Sequence, residues 1–196
     1  MPDDRGGVRP WRARLSWARA VLPVAALAVL AVLDVVQESR RWPILVTGLL
    51  DEPAHLITAG LVLAAVPLAG TWPFPAWVLA GAVAIDLDHV PLYLWHDAVS
   101  GDGGRPVTHS LLTVLVLLAA AAAVRRHRIP LAGLACGVAL HLLRDLATGP
   151  GVPLLWPLPG AAQVPYLLYA AVLGGLTLAA VARLLRPAPR SGVTRP

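Results

Sequence analysis

Six long apolar runs follow one another along the chain, and nearly every cluster of polar residues falls at an end of one of them. The runs cover roughly residues 17–36, 51–68, 75–94, 107–124, 130–147 and 164–185. At about 1.5 Å of rise per residue, each is long enough, or nearly so, to cross about 30 Å of hydrocarbon as a helix. The pattern therefore predicts an all-α fold, a polytopic membrane helical bundle of about six transmembrane helices. A basic tail at 1–16 precedes a single membrane domain at 17–185, and an Arg/Pro tail at 186–196 follows it.

Composition agrees and removes alternatives. Hydrophobic residues make up 57% of the chain and charged residues 14%, with a mean hydropathy of +0.68, which excludes an ordinary soluble domain. The net charge of +5 raises nucleic acid as a partner. The basic residues, however, flank apolar runs and form no patch interleaved with aromatics, which argues against it and leaves the lipid bilayer as the expected partner. All 16 basic residues are Arg, and their placement carries topology. With a cytoplasmic N-terminus, Arg5, Arg9, Arg12, Arg14, Arg19, Arg125, Arg126, Arg128, Arg183, Arg186, Arg190 and Arg195 fall inside, and only Arg40, Arg41, Arg105 and Arg144 fall outside. The positive-inside rule then places both termini in the cytoplasm of a multi-pass protein, expected in the bacterial cytoplasmic membrane. The first run lacks a small-residue cleavage site before Asp34 and reads as an uncleaved span. Cys136 falls mid-helix and reads as a packing residue, and Trp17, Trp42, Trp72, Trp77, Trp95 and Trp156 near span ends read as interfacial anchors.

That topology carries four polar stretches to the extracytoplasmic side: Asp51-Glu52-Pro53-Ala54-His55, Asp86-Leu87-Asp88-His89, Thr108-His109-Ser110, and His141 to Asp145. Asp51 and His55 are four apart, as are His141 and Asp145, so each pair shares a helix face. Asp86 and His89, three apart, do the same, whereas Asp88 points elsewhere unless the helix unwinds, which Pro91 favours. Helix 2 is expected to run from Asp51 and helix 4 from about His109, with Thr108 and Ser110 capping its start or orienting neighbours. A charge at membrane depth costs roughly 2.5–3.5 kcal/mol unless it is paired or wetted. Arg105 and Arg144 offset only two acids. Imidazole with carboxylate suits Zn, with Mn or Fe as alternatives, and the candidate ligands exceed what one tetrahedral ion needs. One or two divalent ions are therefore expected, two being bridged by a carboxylate. Asp86, Asp88, His89, His109, His141 and Asp145 are the first ligands expected, then His55 with Asp51 or Glu52. His127, in a basic turn, and His96, beside Asp97 and Asp102, read as solvated instead.

At these residues the chain resembles the YdjM-like family of membrane-bound metal-dependent hydrolases. The family pattern is an early His, Asp-x-Asp-His, an Arg-containing turn into Thr-His-Ser, then His-x-x-x-Asp before a Gly-Val-x-Leu-Leu-x-Pro segment. Here these stand as His55, Asp86-Leu87-Asp88-His89, Arg105-Pro106-Val107-Thr108-His109-Ser110, His141 to Asp145, and Gly151-Val152-Pro153-Leu154-Leu155-Trp156-Pro157. The match runs from about Asp51 to Leu158. Gly104-Arg105-Pro106 departs from the His-Arg-Gly often found in the family, so one imidazole is missing and His96 or Asp102 is its candidate substitute. The resemblance implies a metal-dependent hydrolase and says little about substrate.

The expected chemistry is activation of water by metal beside an electrophile, with Asp86, Arg105 and Arg144 as catalytic candidates. A carboxylate such as Asp86 serves as general base, and Arg105, near His109, holds a phosphate or developing oxyanion by bidentate hydrogen bonds. Arg144 either binds substrate or neutralises Asp145. A site at the outer leaflet points to a lipid or lipid-linked ester, foremost a phosphoester, with the Pro-rich segment around Trp156 as an interfacial loop or a substrate lip. A metal-independent lipid phosphatase is disfavoured, because Ala135 stands where its arginine belongs and Asp86-Leu87-Asp88-His89 has no role there. An intramembrane protease would need His-Glu-x-x-His, which does not occur. The non-enzymatic alternative is a metal-binding transporter or a structural membrane protein.

Overall fold

The computed structural model describes residues 9–66, 72–90 and 104–186. The main elements within them are helices: α1 (Arg9–Glu38), α2 (Ile44–Ala65), α3 (Phe74–Ala84), α4 (Leu111–Ala123), α5 (Arg128–Asp145) and α6 (Tyr166–Leu185). A 3₁₀ turn over Ile85–Asp88 continues α3, and another over Arg125–His127 leads into α5. The expectations for Trp95, His96, Asp97 and Asp102 lie outside the described residues. Among the described residues, three stretches are long and apolar enough to cross a membrane, namely Arg19–Glu38, Leu45–Ala65 and Tyr166–Leu185. Helix α4 is apolar but has only 13 residues, or about 20 Å at the usual rise.

Two helix starts differ from the sequence expectation. Helix α2 begins seven residues before Asp51, because Pro43 holds a helix-compatible φ of −56° and no charged residue interrupts residues 44–50. The N–H groups of Val46 and Thr47 donate to the Pro43 carbonyl, so Asp51 and His55 lie two turns inside a helix. Helix α4 begins after His109. Ser110 occupies its N-cap position with extended backbone but makes no side-chain cap. Instead the Leu111 N–H donates to the Leu154 carbonyl at 2.9 Å, so the segment after α5 satisfies the start of α4.

Helix α5 is the centre of the bundle, packed chiefly on α3 and then on α4. Its Gly133, Gly137, His141 and Asp145 recur every four residues and form one stripe. A Cβ on Gly133 would fall 2.5 Å from the Trp77 Cβ, one on Gly137 would collide with the Val78 carbonyl oxygen, and one on Gly81 of α3 with the Leu134 carbonyl oxygen. The backbones of α3 and α5 thus touch, as small residues allow between membrane helices. One turn further along the stripe, His141 donates from Nδ1 to the Ala82 carbonyl at 2.8 Å. The glycines set the distance at which the polar ends of α3 and α5 meet.

Helices α1, α2 and α6 complete the bundle. On α1 the buried face is Pro23, Leu30 and Asp34, and Leu30 packs with Ala54 of α2 and with Tyr169 and Leu173 of α6. The opposite faces are greasy and bare, with Leu45 81% and Leu167 80% exposed, as suits helices facing lipid.

Replacing Gly137 by Ala is expected to cost about 1–3 kcal/mol through overpacking at α3. Gly175→Ala, whose Cβ would meet open space, should be neutral or stabilise by up to about 1 kcal/mol through helix propensity. Denaturation of the two variants in detergent checks this, and equal losses would remove the close-approach explanation.

Candidate metal centre

The four polar stretches meet at one end of the bundle. In the 3₁₀ turn after α3 each residue rotates about 120° rather than about 100°, so Asp86 and Asp88 lie about 120° apart instead of about 160° and both reach the cluster. Asp88 reaches His89 Nδ1 at 3.2 Å and His109 Nδ1 at 3.1 Å, and its other neighbour is the Thr108 hydroxyl, which donates to Asp88 Oδ2. The Asp86 Oδ1 atom is the most shared. It lies 3.3 Å from His89 Nδ1, 3.2 Å from His109 Nε2 and 3.4 Å from His141 Nε2.

Asp145, fully buried at the end of α5, faces the same point. Its Oδ2 is 3.1 Å from His141 Nε2 and 3.6 Å from His109 Nε2, and its Oδ1 is 3.5 Å from His55 Nε2. The His55 and His141 rings stack at 3.6 Å, nearly parallel. Asp51 approaches from one turn before His55, Oδ2 to Nε2 at 3.6 Å. Two potential ligand sets result, Asp86, Asp88, His89 and His109 in one and His55, His141 and Asp145 in the other, the ligand atoms of each lying within 4.8 Å of one another. The Asp86 contact to His141 and the Asp145 contact to His109 join them.

These side chains fit a divalent metal. Ligand atoms about 2.0–2.1 Å from a tetrahedral zinc lie about 3.3–3.4 Å from each other, close to the nitrogen-to-oxygen separations found here. Buried His55 Nε2, His141 Nε2 and Asp145 Oδ1 have no hydrogen-bond partner, a costly state for polar atoms unless something further binds them. The Ala82 carbonyl fixes the His141 tautomer with its proton on Nδ1, leaving Nε2 as the ligand atom.

A cavity of about 1310 Å³ opens beside the cluster. Asp51, Glu52, Asp86, His89 and Arg105 line it from the cluster, and Val35, Leu45, Leu49 and Val90 supply apolar wall. Arg105 donates from Nη1 to Asp145 Oδ2 at 2.8 Å. The segment after α5 contributes Thr148, Gly149 and Pro150 to the lining, and it is pinned by an antiparallel bridge between Val152 and Ala162 and by the Val164 N–H on the Leu146 carbonyl. Trp156 is half-exposed on that loop.

The profile of the YdjM inner membrane protein family matches residues 50–194. The chain belongs to this family. The matched region contains every member of the cluster. No curated protein and no solved structure matches the chain.

In this family member the fold brings close together the side chains expected as ligands, His55, Asp86, Asp88, His89, His109, His141 and Asp145, with Asp51 and Glu52 on the wall of the adjoining cavity. Asp88 stands with Asp86 because the helix leaves α geometry for a 3₁₀ turn, the departure on which its expected place depended. Two placements differ from expectation. His109 enters from the turn ahead of α4 rather than from the helix. Arg144 points away from Asp145, its neighbour in sequence, because consecutive residues on a helix face about 100° apart; Arg105 neutralises Asp145 instead. Fully buried Arg144 meets Asp34 Oδ1 at 2.8 Å, Asp51 Oδ1 at 3.3 Å and the Tyr169 hydroxyl at 3.3 Å. Asp34, Tyr166 and Tyr169 were not anticipated as site neighbours. The available signal was Asp34 itself, a carboxylate inside an apolar span, together with two of the three tyrosines clustered at the start of the last run.

Because Asp86 Oδ1 touches three imidazoles and Asp88 two, Asp86→Ala should retain less zinc after dialysis against a chelator than Asp88→Ala, and Glu52→Ala should retain the most. Elemental analysis of the three purified variants checks the order; an unchanged content in Asp86→Ala contradicts the shared role given to this oxygen.

Proposed function

We propose that this YdjM family protein is a membrane-embedded metal-dependent hydrolase. Its site would sit at the extracytoplasmic face of a six-span, N-in/C-in protein, acting on a phosphoester or other ester of a lipid or lipid-linked substrate. The observation that carries the reading is the convergence of buried imidazoles and carboxylates from four separate parts of the chain beside an apolar-walled cavity open to Asp86 and Arg105. A cavity of about 1310 Å³ exceeds the usual range for drug-sized ligands, which suits a lipid. The arginine distribution supports the orientation.

His55, His141 and Asp145 on one side, and Asp86, Asp88, His89 and His109 on the other, would hold one or two divalent ions, zinc foremost, with manganese or iron as alternatives. When bound, such an ion supplies Lewis acidity, polarising the ester or phosphoryl oxygen and making water more acidic. The chain's own groups do the rest. Arg105 lines the cavity with its Nε buried and without a hydrogen-bond partner, so its guanidinium is placed to grip a phosphoryl or carbonyl oxygen while remaining on Asp145. Asp86 and Glu52, both on the cavity wall, are the carboxylates placed to accept the proton of an attacking water. The apolar wall of Val35, Leu45 and Leu49 offers an acyl or prenyl chain a surface to lie along and so helps orient the substrate.

Elemental analysis of the detergent-purified protein beside an Asp88→Ala, His141→Ala double variant tests the metal. The wild type should carry about one or two transition-metal ions per chain and the variant far fewer. Metal-loaded wild type should then hydrolyse members of a phosphoester and acyl-ester lipid panel, and Arg105→Ala should lose most of that activity. A wild type without stoichiometric metal overturns the proposal, and metal uptake into liposomes without turnover would favour transport.

A further inference from the structure

Arg144 is the largest completely buried side chain among the described residues, and it lies outside the metal cluster. Its Nη2 donates to Asp34 Oδ1 at 2.8 Å, to Asp51 Oδ1 at 3.3 Å and to Gln37 Oε1 at 3.5 Å. Its Nη1 donates to the Tyr169 hydroxyl at 3.3 Å. The far oxygen of Asp34 accepts from the Tyr166 hydroxyl at 2.7 Å, and the Tyr169 hydroxyl pairs with Thr58 at 2.7 Å. One guanidinium thus fastens α5 to α1, α2 and α6, the three helices among the described residues that are long and apolar enough to cross a membrane.

The two oxygens of Asp51 face opposite ways in this arrangement. Oδ1 is held by Arg144, while Oδ2 is turned to His55 Nε2 at 3.6 Å. His55 Nε2 in turn lies 3.5 Å from Asp145 Oδ1, and its ring stacks on His141. Arg144 and Asp145 are consecutive on α5, so the residue that grips Asp51 is rigidly tied to the carboxylate on the other side of His55.

We propose that Arg144 is a positioning residue: by holding Asp51 Oδ1 it keeps Asp51 Oδ2 aimed at the metal-facing side of His55, 3.6 Å from Nε2, as a further oxygen ligand of the metal centre, and through Asp34 it anchors the end of α1 to the same point. This rests on the reading of the cluster as a metal site. Arg144 needs no contact with substrate for this role. Partners that orient ligands commonly change metal affinity by roughly 10- to 100-fold when removed.

The test separates positioning from plain structural support. Zinc affinity is measured by competition with a chromophoric chelator, and thermal stability by unfolding, for full-length protein in detergent micelles. Arg144→Gln leaves Asp34 and Asp51 buried without their cation and should lose both stability and affinity. In the Asp34→Asn, Arg144→Gln double variant one of the two stranded carboxylates is neutral, so stability should recover in part. Asp51 remains unclamped, so zinc affinity should stay at least tenfold below wild type. Visible spectra of the cobalt-loaded forms should differ from wild type in both variants and match it in Tyr166→Phe, which removes only the outer hydrogen bond to Asp34. If affinity recovers with stability in the double variant, or if its cobalt spectrum is that of the wild type, Arg144 is structural only and the inference falls. A wild type that binds no zinc would instead overturn the metal reading on which it rests.

Discussion

Neutralising carboxylates inside an apolar bundle is the constraint from which the rest of the structure follows. Asp145 is fully buried and Asp34 nearly so, and an ionised acid in such surroundings is tolerated only when countercharge is brought to it. Arg105 comes to Asp145 from the turn before α4, and Arg144 comes to Asp34 and Asp51 from α5. Imidazoles surround Asp86. Asp34 near the end of α1, Asp51 within α2, Arg144 and Asp145 at the end of α5 and Tyr166 at the start of α6 thus belong to a single polar layer that ties these helices together.

The close approach of α3 to α5 makes that layer possible. With glycine at 81, 133 and 137, backbone meets backbone, and His141 comes near enough to reach the Ala82 carbonyl. A few ångströms more between the axes would separate Asp86 from His141 and split the cluster in two. The same helix carries the two halves of the polar layer on adjacent faces, Asp145 toward the cluster and Arg144 toward the network behind it. Packing of α5 therefore decides at once whether the imidazoles and carboxylates converge and whether α1, α2 and α6 are fastened to them. The cavity lies where these groups stop and the apolar flank of α1 and α2 begins, so polar chemistry and a greasy wall share one boundary.

Much of this was legible along the chain. The apolar runs gave the helices, the four-residue spacing of Asp51 with His55 and of His141 with Asp145 gave two same-face pairs, and the order of the motifs agreed with a family whose profile covers residues 50–194. Less legible were the helix starts. Pro43 begins α2 well before its polar residues, and a carbonyl of Leu154, distant in sequence, caps α4 in place of the Ser110 side chain. The place of Asp88 depended on a helix tightening into a 3₁₀ turn, a local choice that spacing alone leaves open.

The sequence by itself determined which segments are helical, which are apolar enough to face lipid, and which side chains are available as ligands, because these properties depend on periodicity and composition within one segment. Only the tertiary structure decided the pairings: Arg105 rather than Arg144 on Asp145, Arg144 on Asp34 across 110 residues of chain, and Asp86 as the oxygen common to three imidazoles. The reason is physical. Such pairings depend on the rotation and separation of helices distant in sequence, and here glycine contacts and one tightened turn set both.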